Sequence, residues 1–449
     1  MGAIDQSPNP LASVRLPRPA IRLPHAGPDL PRALVAWAAL SVALNVGLSR
    51  FTYGIVLPSL QRDVGLDYTS AGLMHAAHLG GYMIGTLASH RLGRRIGLRR
   101  AIRAAHWLVA LGAALCAVTP AADPSGPWLL GLGRLTTGLG GGVAVVSVFT
   151  LVIGTVPAAS RASVSAVLWG GVGGVVLLSA FAAPYLAHAT TGEWRIVFWI
   201  TAAVACGVAG TTPGGTGLAE PERRTSACGC RFGLRELLST RWLFLNGTYF
   251  CFGLAYIGYA TFVGSRLLET HRSSAMLVAT WSVLGAAIIA GAAATALVLG
   301  AARPARYAVV GSTACGMVGA IVTFGDSAVG TIAGAALVGL SLASTPTVLN
   351  AHTQQRSSAQ HYAAAFGTAF AALGLGQLIG PALTGHVADR IGTGAMPLVA
   401  GVLYACAALF GLLDSQLGHP GAEHLAVCPR DRSQRGCGQS GCGRDVVPA

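Results

Sequence analysis

Lysine is absent from this sequence, and all 30 of its basic residues are arginine. A P-loop that binds ATP requires a lysine that reaches the phosphates, so ATP hydrolysis through that motif is excluded. Carboxylates are also scarce, with 16 aspartate and glutamate residues among 449. Charged residues together make up 10% of the chain, far below the roughly 25% of an average soluble protein. Such a chain has too few polar residues to cover a soluble globule, which favours a protein embedded in a lipid bilayer.

Hydrophobic residues make up 53% of the chain, and the mean hydropathy is +0.60. They gather in twelve stretches that are each about long enough to cross a bilayer, and none has an aspartate or glutamate in its middle. The pattern predicts an all-α integral membrane protein with twelve transmembrane helices. The predicted spans are residues 33–58, 70–89, 101–119, 128–154, 163–188, 195–211, 242–264, 275–299, 306–324, 329–350, 363–386 and 395–413.

The arginines are distributed unevenly between the loops. With both termini in the cytoplasm, most of them fall in the tails and in the loops on the cytoplasmic side, as the positive-inside rule requires. Residues 1–30 are rich in proline and lack the apolar segment that is typical of a cleavable signal peptide. We therefore expect a multi-pass protein of a bacterial inner membrane. Its net charge of +14 indicates contact with anionic lipid headgroups, and no nucleic-acid partner, because the arginines lie beside the spans.

A polar segment in the middle of the chain separates six predicted spans from another six. Such a plan indicates two similar halves with a substrate cavity between them, near the midplane of the membrane. We expect a cytoplasmic tail (1–32), an N-terminal half (33–211), a central cytoplasmic loop (212–241), a C-terminal half (242–413) and a cytoplasmic tail of disordered composition (414–449). The chain is expected to act as a monomer.

The loop predicted after the second span carries a recognisable motif. It reads GTLASHRLGRRIGLRR and resembles the G-x-x-x-D-R-x-G-R-R signature of the major facilitator superfamily. His90 stands where the family has aspartate, while Arg91, Gly93 and Arg94 are retained. In that family the loop latches the two halves together, so the resemblance implies a gating role for these four residues. The missing carboxylate puts the latch in doubt, and a plain cluster of cytoplasmic arginines is the alternative.

Further segments resemble the same superfamily, in the same order. They are GRLTTGLGGG, which contains Arg134, EWRIVFW at 193–199, and GPALTGHVADRIG at 380–392. Residues 47–85 and 249–262 are similar to a narrower bacterial branch, the YbfB/YjiJ-like transporters, most of which are uncharacterised. The resemblance implies a twelve-helix fold and alternating access, but no substrate. The fifth span lacks the G-x-x-x-G-P-x-x-G-G stretch typical of drug/proton antiporters, so multidrug efflux is a secondary hypothesis.

Arg50 is the first candidate for a substrate ligand. It lies well inside the first span, and a guanidinium in a membrane is costly unless it is paired or lines water. Because no span carboxylate is available to it, an anionic substrate group is the functional interpretation, and a structural strut is the alternative. Arg134 is expected to act in gating or helix packing, with substrate contact as the alternative. The residues expected to bind substrate are Arg50, Tyr53, Asn45, Asn246, Tyr256, Tyr259 and Gln377.

His75 and His78 lie three residues apart, on one face of the second span. Since histidine titrates near neutral pH, they are the candidate proton carriers, with interhelical hydrogen bonding as the alternative. Neither a metal site nor a cofactor is expected, and no motif indicates an enzyme. The sequence thus predicts a secondary transporter of a small organic solute, most simply an organic anion. Proton symport, anion exchange, efflux of drugs or metabolites by proton antiport, and ligand sensing without transport remain open.

Overall fold

A computed structural model describes residues 32–156, 161–188, 193–213, 240–300, 305–325, 327–357 and 362–417. Most of the predicted central loop, its cysteines and both tails lie outside the described residues. No strand occurs within the described ranges, and the chain there is almost wholly helical. The predicted all-α fold class is confirmed.

Twelve helices occur in the part of the chain that the structure describes. They are α1 (Arg32–Val64), α2 (Tyr68–Ile96), α3 (Leu98–Ala117), α4 (Gly126–Thr155), α5 (Arg161–His188), α6 (Arg195–Gly210), α7 (Thr240–Glu269), α8 (Ser274–Gly300), α9 (Ala305–Phe324), α10 (Ala328–Arg356), α11 (Tyr362–Ile391) and α12 (Met396–Leu417). Each predicted span overlaps one of them, and extends at most two residues beyond its ends. Among the described residues, nine helices are long and apolar enough to cross a membrane; α2, α5 and α6 are the three that do not meet that criterion.

Two sequence expectations are corrected by the helix ends. The segment after the second predicted span is not a loop, because α2 continues to Ile96 and α3 begins two residues later. Gly97, with a φ of 85°, makes the break between them, a conformation that glycine adopts without steric cost. The last helix also runs beyond residue 413 and so includes Asp414, which is buried. Thus one carboxylate does lie inside the helical bundle.

The helices pack in two sets that repeat the same pairing. In the first set (α1–α6), α4 packs on α2 and α3, α3 packs on α6, and α5 packs on α1. The second set (α7–α12) has the same contacts six helices later: α10 packs on α8 and α9, α9 on α12, and α11 on α7. The two sets meet chiefly through α2 against α11 and α5 against α8. This repetition is what duplication of a six-helix unit would produce.

Large apolar side chains are exposed around the bundle, whereas many polar ones are buried within it. The exposed group includes Leu87, Trp128, Leu178, Phe181 and Trp199. In water such a surface would drive aggregation, but against lipid tails it is compatible with the surroundings. The polar interior is therefore where specific chemistry has to be sought.

Candidate substrate site

The middle of α1 is wound more loosely than an α-helix. Residues Ala43–Phe51 form a π-helix, and both flanking segments are α-helical. π-Helical turns are rare and occur often at functional sites, because they displace side chains from the regular α-helical positions. Arg50 lies in the last turn of this segment. The unusual winding therefore sets the direction of a buried arginine.

The Arg50 guanidinium is buried between the two sets of helices. Its Nη2 donates a hydrogen bond of 2.6 Å to the hydroxyl of Tyr256 on α7, and Gln377 on α11 lies near that hydroxyl. The rings of Phe51, Tyr82 and Tyr256 lie 5.7–6.0 Å from the guanidinium carbon. Nε of Arg50 has no hydrogen-bond acceptor among the described residues. Arg50 thus joins the sets and keeps one buried donor available.

Arg134 on α4 is buried still more deeply, with 1% of its surface exposed. Its Nη1 donates to the backbone carbonyl of Ser49 at 2.8 Å, and the Tyr53 ring lies 4.4 Å from its guanidinium carbon. Neither Nε nor Nη2 meets an acceptor in the described part of the chain. These two nitrogens form one edge of the planar guanidinium, the edge that binds a carboxylate with two parallel hydrogen bonds. Arg134 is therefore anchored from one side and open on its bidentate edge.

His75 and His78 lie beside this pair of arginines, with their ring centroids 6.4 Å apart. Nδ1 of His75 is 2.9 Å from the hydroxyl of Thr261 on α7, and Nδ1 of His78 is 3.1 Å from the hydroxyl of Thr137 on α4. Both imidazole rings are buried. Their Nε2 atoms have no hydrogen-bond partner within the described ranges. The predicted proximity of the two histidines is thus present, and one of them contacts the second set of helices.

Tyr53 holds the centre of the cluster together. Its hydroxyl donates to the carbonyl of Ala71 at 2.8 Å. Its ring contacts Arg134 on one side and, with centroids 5.1 Å apart, the His75 ring on another. Because the hydroxyl is already engaged, Tyr53 serves better as a positioning residue than as the direct ligand expected from the sequence.

The cluster is rich in positive charge. Among the described residues, no aspartate or glutamate pairs with Arg50 or Arg134. The buried carboxylate that the sequence analysis missed, Asp414, accepts instead from His352 at 2.7 Å and from Arg356. That group lies where α10 and α12 end, and the Arg356 guanidinium carbon is 5.5 Å from the centroid of the Trp242 ring. Asp414 therefore ties helices of the second set together and leaves the two arginines of the cluster without an anion.

Three other residues predicted to bind substrate are placed differently by the structure. The amide nitrogen of Asn45 donates to the Ser41 carbonyl at 2.7 Å and lies 3.3 Å from His106. Tyr259 turns toward α9, where its hydroxyl is 3.2 Å from that of Thr323. Asn246 lies ten residues before Tyr256 on α7, about 15 Å along the helix axis. Of the predicted set, Arg50, Tyr53, Tyr256 and Gln377 are brought together.

The gating candidates fall in two places. His90, Arg91 and Arg94 are exposed on the last turns of α2, and Gly93 is between them. With the described residues they form no hydrogen bond or ion pair to another helix, so the latch expected from the motif stays a prediction. Arg134, by contrast, lies in the buried cluster.

At the end of the bundle where α1 meets α2, a carboxylate joins the two sets. Asp389 of α11 accepts from the backbone N–H groups of Tyr68 and Thr69, at 3.0 and 2.7 Å, and from the Thr69 hydroxyl at 2.5 Å. It thereby caps the first turn of α2, which belongs to the other set. The Tyr68 hydroxyl also donates to Glu269 of α7. We call this group, Asp389 with Tyr68, Thr69 and Glu269, the terminal clamp.

Removing the clamp carboxylate should open this end of the bundle. We expect Asp389→Ala to speed maleimide labelling of a Gln61→Cys reporter, which lines the adjacent cleft, by about tenfold in a background without native cysteines. Loss of several hydrogen bonds to a charged acceptor is worth about 1.4 kcal/mol or more even after screening by water, which corresponds to that factor.

Asp67→Ala is the matched control. The Asp67 side chain caps the same helix by accepting from Ser70 N–H at 2.7 Å, but within the first set alone. It should weaken the helix end without speeding the labelling. Equal labelling rates in Asp389→Ala and the parent would show that Asp389 does not hold the end closed.

Two six-helix sets that meet around a buried polar site are the architecture of the major facilitator superfamily (MFS) of membrane transporters. Residues 42–413 match the model of the family described as "Uncharacterised MFS-type transporter YbfB", and the chain belongs to that family. The predicted resemblance is thereby confirmed, and with it membership of a transporter family of multi-pass membrane proteins.

Two relatives agree with this assignment. A gentisate transporter of Corynebacterium glutamicum is 26% identical over 175 residues, which are 39% of this chain and 38% of that protein. The match therefore spans well under half of the relative's length. The crystal structure of a D-xylose-proton symporter superposes with a TM-score of 0.66 at 15% identity, covering 84% of this chain and 96% of the other. At that identity the superposition supports the fold alone.

Proposed function

We propose that this protein moves a small organic anion across the bacterial inner membrane by alternating access of its two helix sets. The observation that carries the proposal is the buried edge of Arg134, where Nε and Nη2 have no acceptor among the described residues. A guanidinium enclosed without an anion is unfavourable by several kcal/mol. A carboxylate that arrives with the substrate would remove that penalty.

Arg50 is the second ligand in this proposal. Arg134 donates to the carbonyl of Ser49, the residue next to Arg50. The turn of α1 that carries Arg50 therefore also anchors the Arg134 guanidinium. Arg50 has already committed Nη2 to Tyr256, which leaves it one buried donor, Nε, rather than a complete edge. We therefore assign the bidentate contact to Arg134 and a single charge-assisted hydrogen bond to Arg50.

The surroundings of Arg50 suggest which organic anion would fit. Three aromatic rings, those of Phe51, Tyr82 and Tyr256, surround its guanidinium. A planar, apolar body attached to the carboxylate could pack against such rings. The partial similarity to a gentisate transporter points to the same chemistry. We propose a small aromatic monocarboxylate as the preferred substrate.

Alternating access would use the contacts between the sets. The hydrogen bonds described above join the sets from the buried cluster to the α1–α2 end, where the terminal clamp lies. With both termini in the cytoplasm, as the arginine distribution favours, that end faces the outside of the cell. In this proposal the clamp closes the outer entrance, and the paired surfaces of α2 with α11 and α5 with α8 move when it opens.

Counterflow of labelled benzoate in proteoliposomes tests the proposal. Vesicles loaded with unlabelled benzoate or gentisate should accumulate the label, whereas vesicles loaded with benzamide, which lacks the charge, should not. D-Xylose and tetraphenylphosphonium serve as the sugar and lipophilic-cation arms. Counterflow confined to either of those two, with none for any carboxylate, would refute anion transport; the cation result would favour multidrug efflux.

A further inference from the structure

We infer that His75 and His78 together take up one proton when the anion binds, so that transport is anion–proton symport. The inference rests on the proposed function and deepens it by naming the coupled ion. It depends on the directions of two hydrogen bonds, on the charges that face the two rings, and on the burial of both.

The hydroxyl partners fix where the imidazole protons lie. The Thr261 hydroxyl is 2.6 Å from the carbonyl of Ile257 and donates to it, so its contact with His75 must be one in which Nδ1–H of the ring donates. The Thr137 hydroxyl likewise donates to the carbonyl of Arg134 at 2.8 Å and therefore accepts from Nδ1–H of His78. Each neutral ring consequently presents an unprotonated Nε2 to the interior.

Both Nε2 atoms are buried without a donor from the described residues. A buried acceptor that lacks a hydrogen bond is unfavourable. Binding a proton would turn that acceptor into a donor, for which a carboxylate beside it would be a natural partner. The two lone pairs are thus the basic sites of the cluster, and no carboxylate of the protein has to supply this function.

The charges around the rings make proton binding conditional. The titratable and charged groups that face the pair are Arg50 and Tyr53 on α1 and Arg134 on α4. Tyr82 and Tyr256 lie near Arg50, and Cys116 lies near Arg134. The two guanidiniums oppose an imidazolium while the site is empty. An anion seated on Arg134 offsets that repulsion. The proton therefore binds with the anion and not before it, which prevents a proton leak through the empty carrier.

The spacing limits the stoichiometry to one proton. Two imidazoliums with centroids 6.4 Å apart, next to two arginines, would concentrate positive charge far beyond what one monocarboxylate can balance. One proton and one monocarboxylate make a neutral load. A pH gradient should then drive uptake, and a membrane potential set with potassium and valinomycin should not change the rate of uptake.

His75→Asn with His78→Asn is the variant that tests the inference. Asparagine places an amide N–H where Nδ1–H stood, so the bonds to Thr261 and Thr137 can persist while the titrating Nε2 is lost. His271→Asn is the control, because His271 is an exposed turn residue with a φ of 51°, a conformation that asparagine tolerates.

The experiment measures benzoate counterflow and, separately, benzoate uptake driven by an inward pH gradient, with pyranine inside the vesicles reporting proton entry. We expect the parent and His271→Asn to show both, with one proton per benzoate. The double variant should lose at least tenfold in gradient-driven uptake, whereas His271→Asn should keep it. Pyranine acidification with benzoate in the parent, in excess of that in protein-free vesicles, which benzoic acid enters unaided, tests the coupling even if the double variant does not fold.

The other outcomes separate the two claims. Benzoate counterflow without any proton entry in the parent would leave anion transport standing and refute the proton coupling. Gradient-driven uptake that survives in the double variant would place the proton elsewhere and refute the role of the histidines. Absence of counterflow for every carboxylate would refute the proposed function itself, and the inference with it.

Discussion

Arg134→Gln is expected to abolish carboxylate binding while leaving the empty protein as stable as the parent, or more stable. The substitution removes both donors of the bidentate edge. Hydrogen bonds to charged groups contribute about 1.5–3 kcal/mol each, so the affinity should fall by at least about 100-fold. The loss of an uncompensated buried charge offsets the loss of the contacts to Ser49 and Tyr53. Thermal unfolding with and without benzoate measures both effects.

Arg195→Gln is a matched control for this experiment. Arg195 is also anchored by one backbone carbonyl, that of Thr119 at 2.7 Å, and by one ring, that of Trp194 at 4.5 Å, but it lies at the start of α6, outside the cluster. Its loss should lower stability slightly and leave stabilisation by benzoate intact. If Arg134→Gln instead unfolds the empty protein and Arg195→Gln does not, Arg134 is a structural strut and the assignment of the carboxylate ligand fails.

Gly138→Ala should be the most damaging small substitution in the bundle. A Cβ at Gly138 would lie 1.9 Å from the backbone oxygen of His78, so α4 and α2 would have to separate along one of the closest packed pairs. Overpacking of a rigid interior costs about 1–3 kcal/mol and occasionally more, and here the obstacle is backbone rather than a side chain that can rotate. We expect destabilisation of about 3 kcal/mol, measured as a marked drop in the unfolding temperature or loss of monodisperse protein.

Gly207→Ala provides the comparison. Gly207 is also helical, on α6, but a Cβ there meets no atom within 4 Å. It should fold as well as the parent, since alanine loses less conformational freedom on folding than glycine. A Gly138→Ala protein as stable as Gly207→Ala would mean that α2 and α4 are not in close contact, and the pairing that positions His78 beside Arg134 would have to be revised.

The roles of the two arginines illustrate what could be read from the sequence. A guanidinium inside an apolar stretch is conspicuous, so Arg50 was predicted to bind substrate on the cost of its burial alone. For Arg134 the sequence favours gating or helix packing over substrate contact, because its place near the end of a span does not show which side chains surround it. Only the folded bundle brings Ser49 and Tyr53 against it, and these contacts leave its bidentate edge open.

For the histidine pair, too, the sequence predicted the residues and only the structure showed their partners. Three-residue spacing predicted that His75 and His78 share a face of α2, and the helix confirms their proximity. Their partners, Thr261 and Thr137, lie on α7 and α4, far away in the chain. Threonines in apolar helices are common and carry no signal of their own. The protonation of the rings could not be argued until these hydroxyls were located.

The resemblance of its motifs indicated the superfamily, and the sequence by itself determined that the chain is an all-helical membrane protein and where each helix lies, to within seven residues at either end. The helical membrane fold and the helix positions follow from local composition, since a bilayer requires long apolar helices and rejects unpaired backbone groups. Tertiary structure alone decided which polar side chains meet, because neighbours in the bundle come from α1, α2, α4 and α7. It also decided that Asp414 pairs with His352 and Arg356. As a result, no carboxylate among the described residues pairs with either arginine of the cluster.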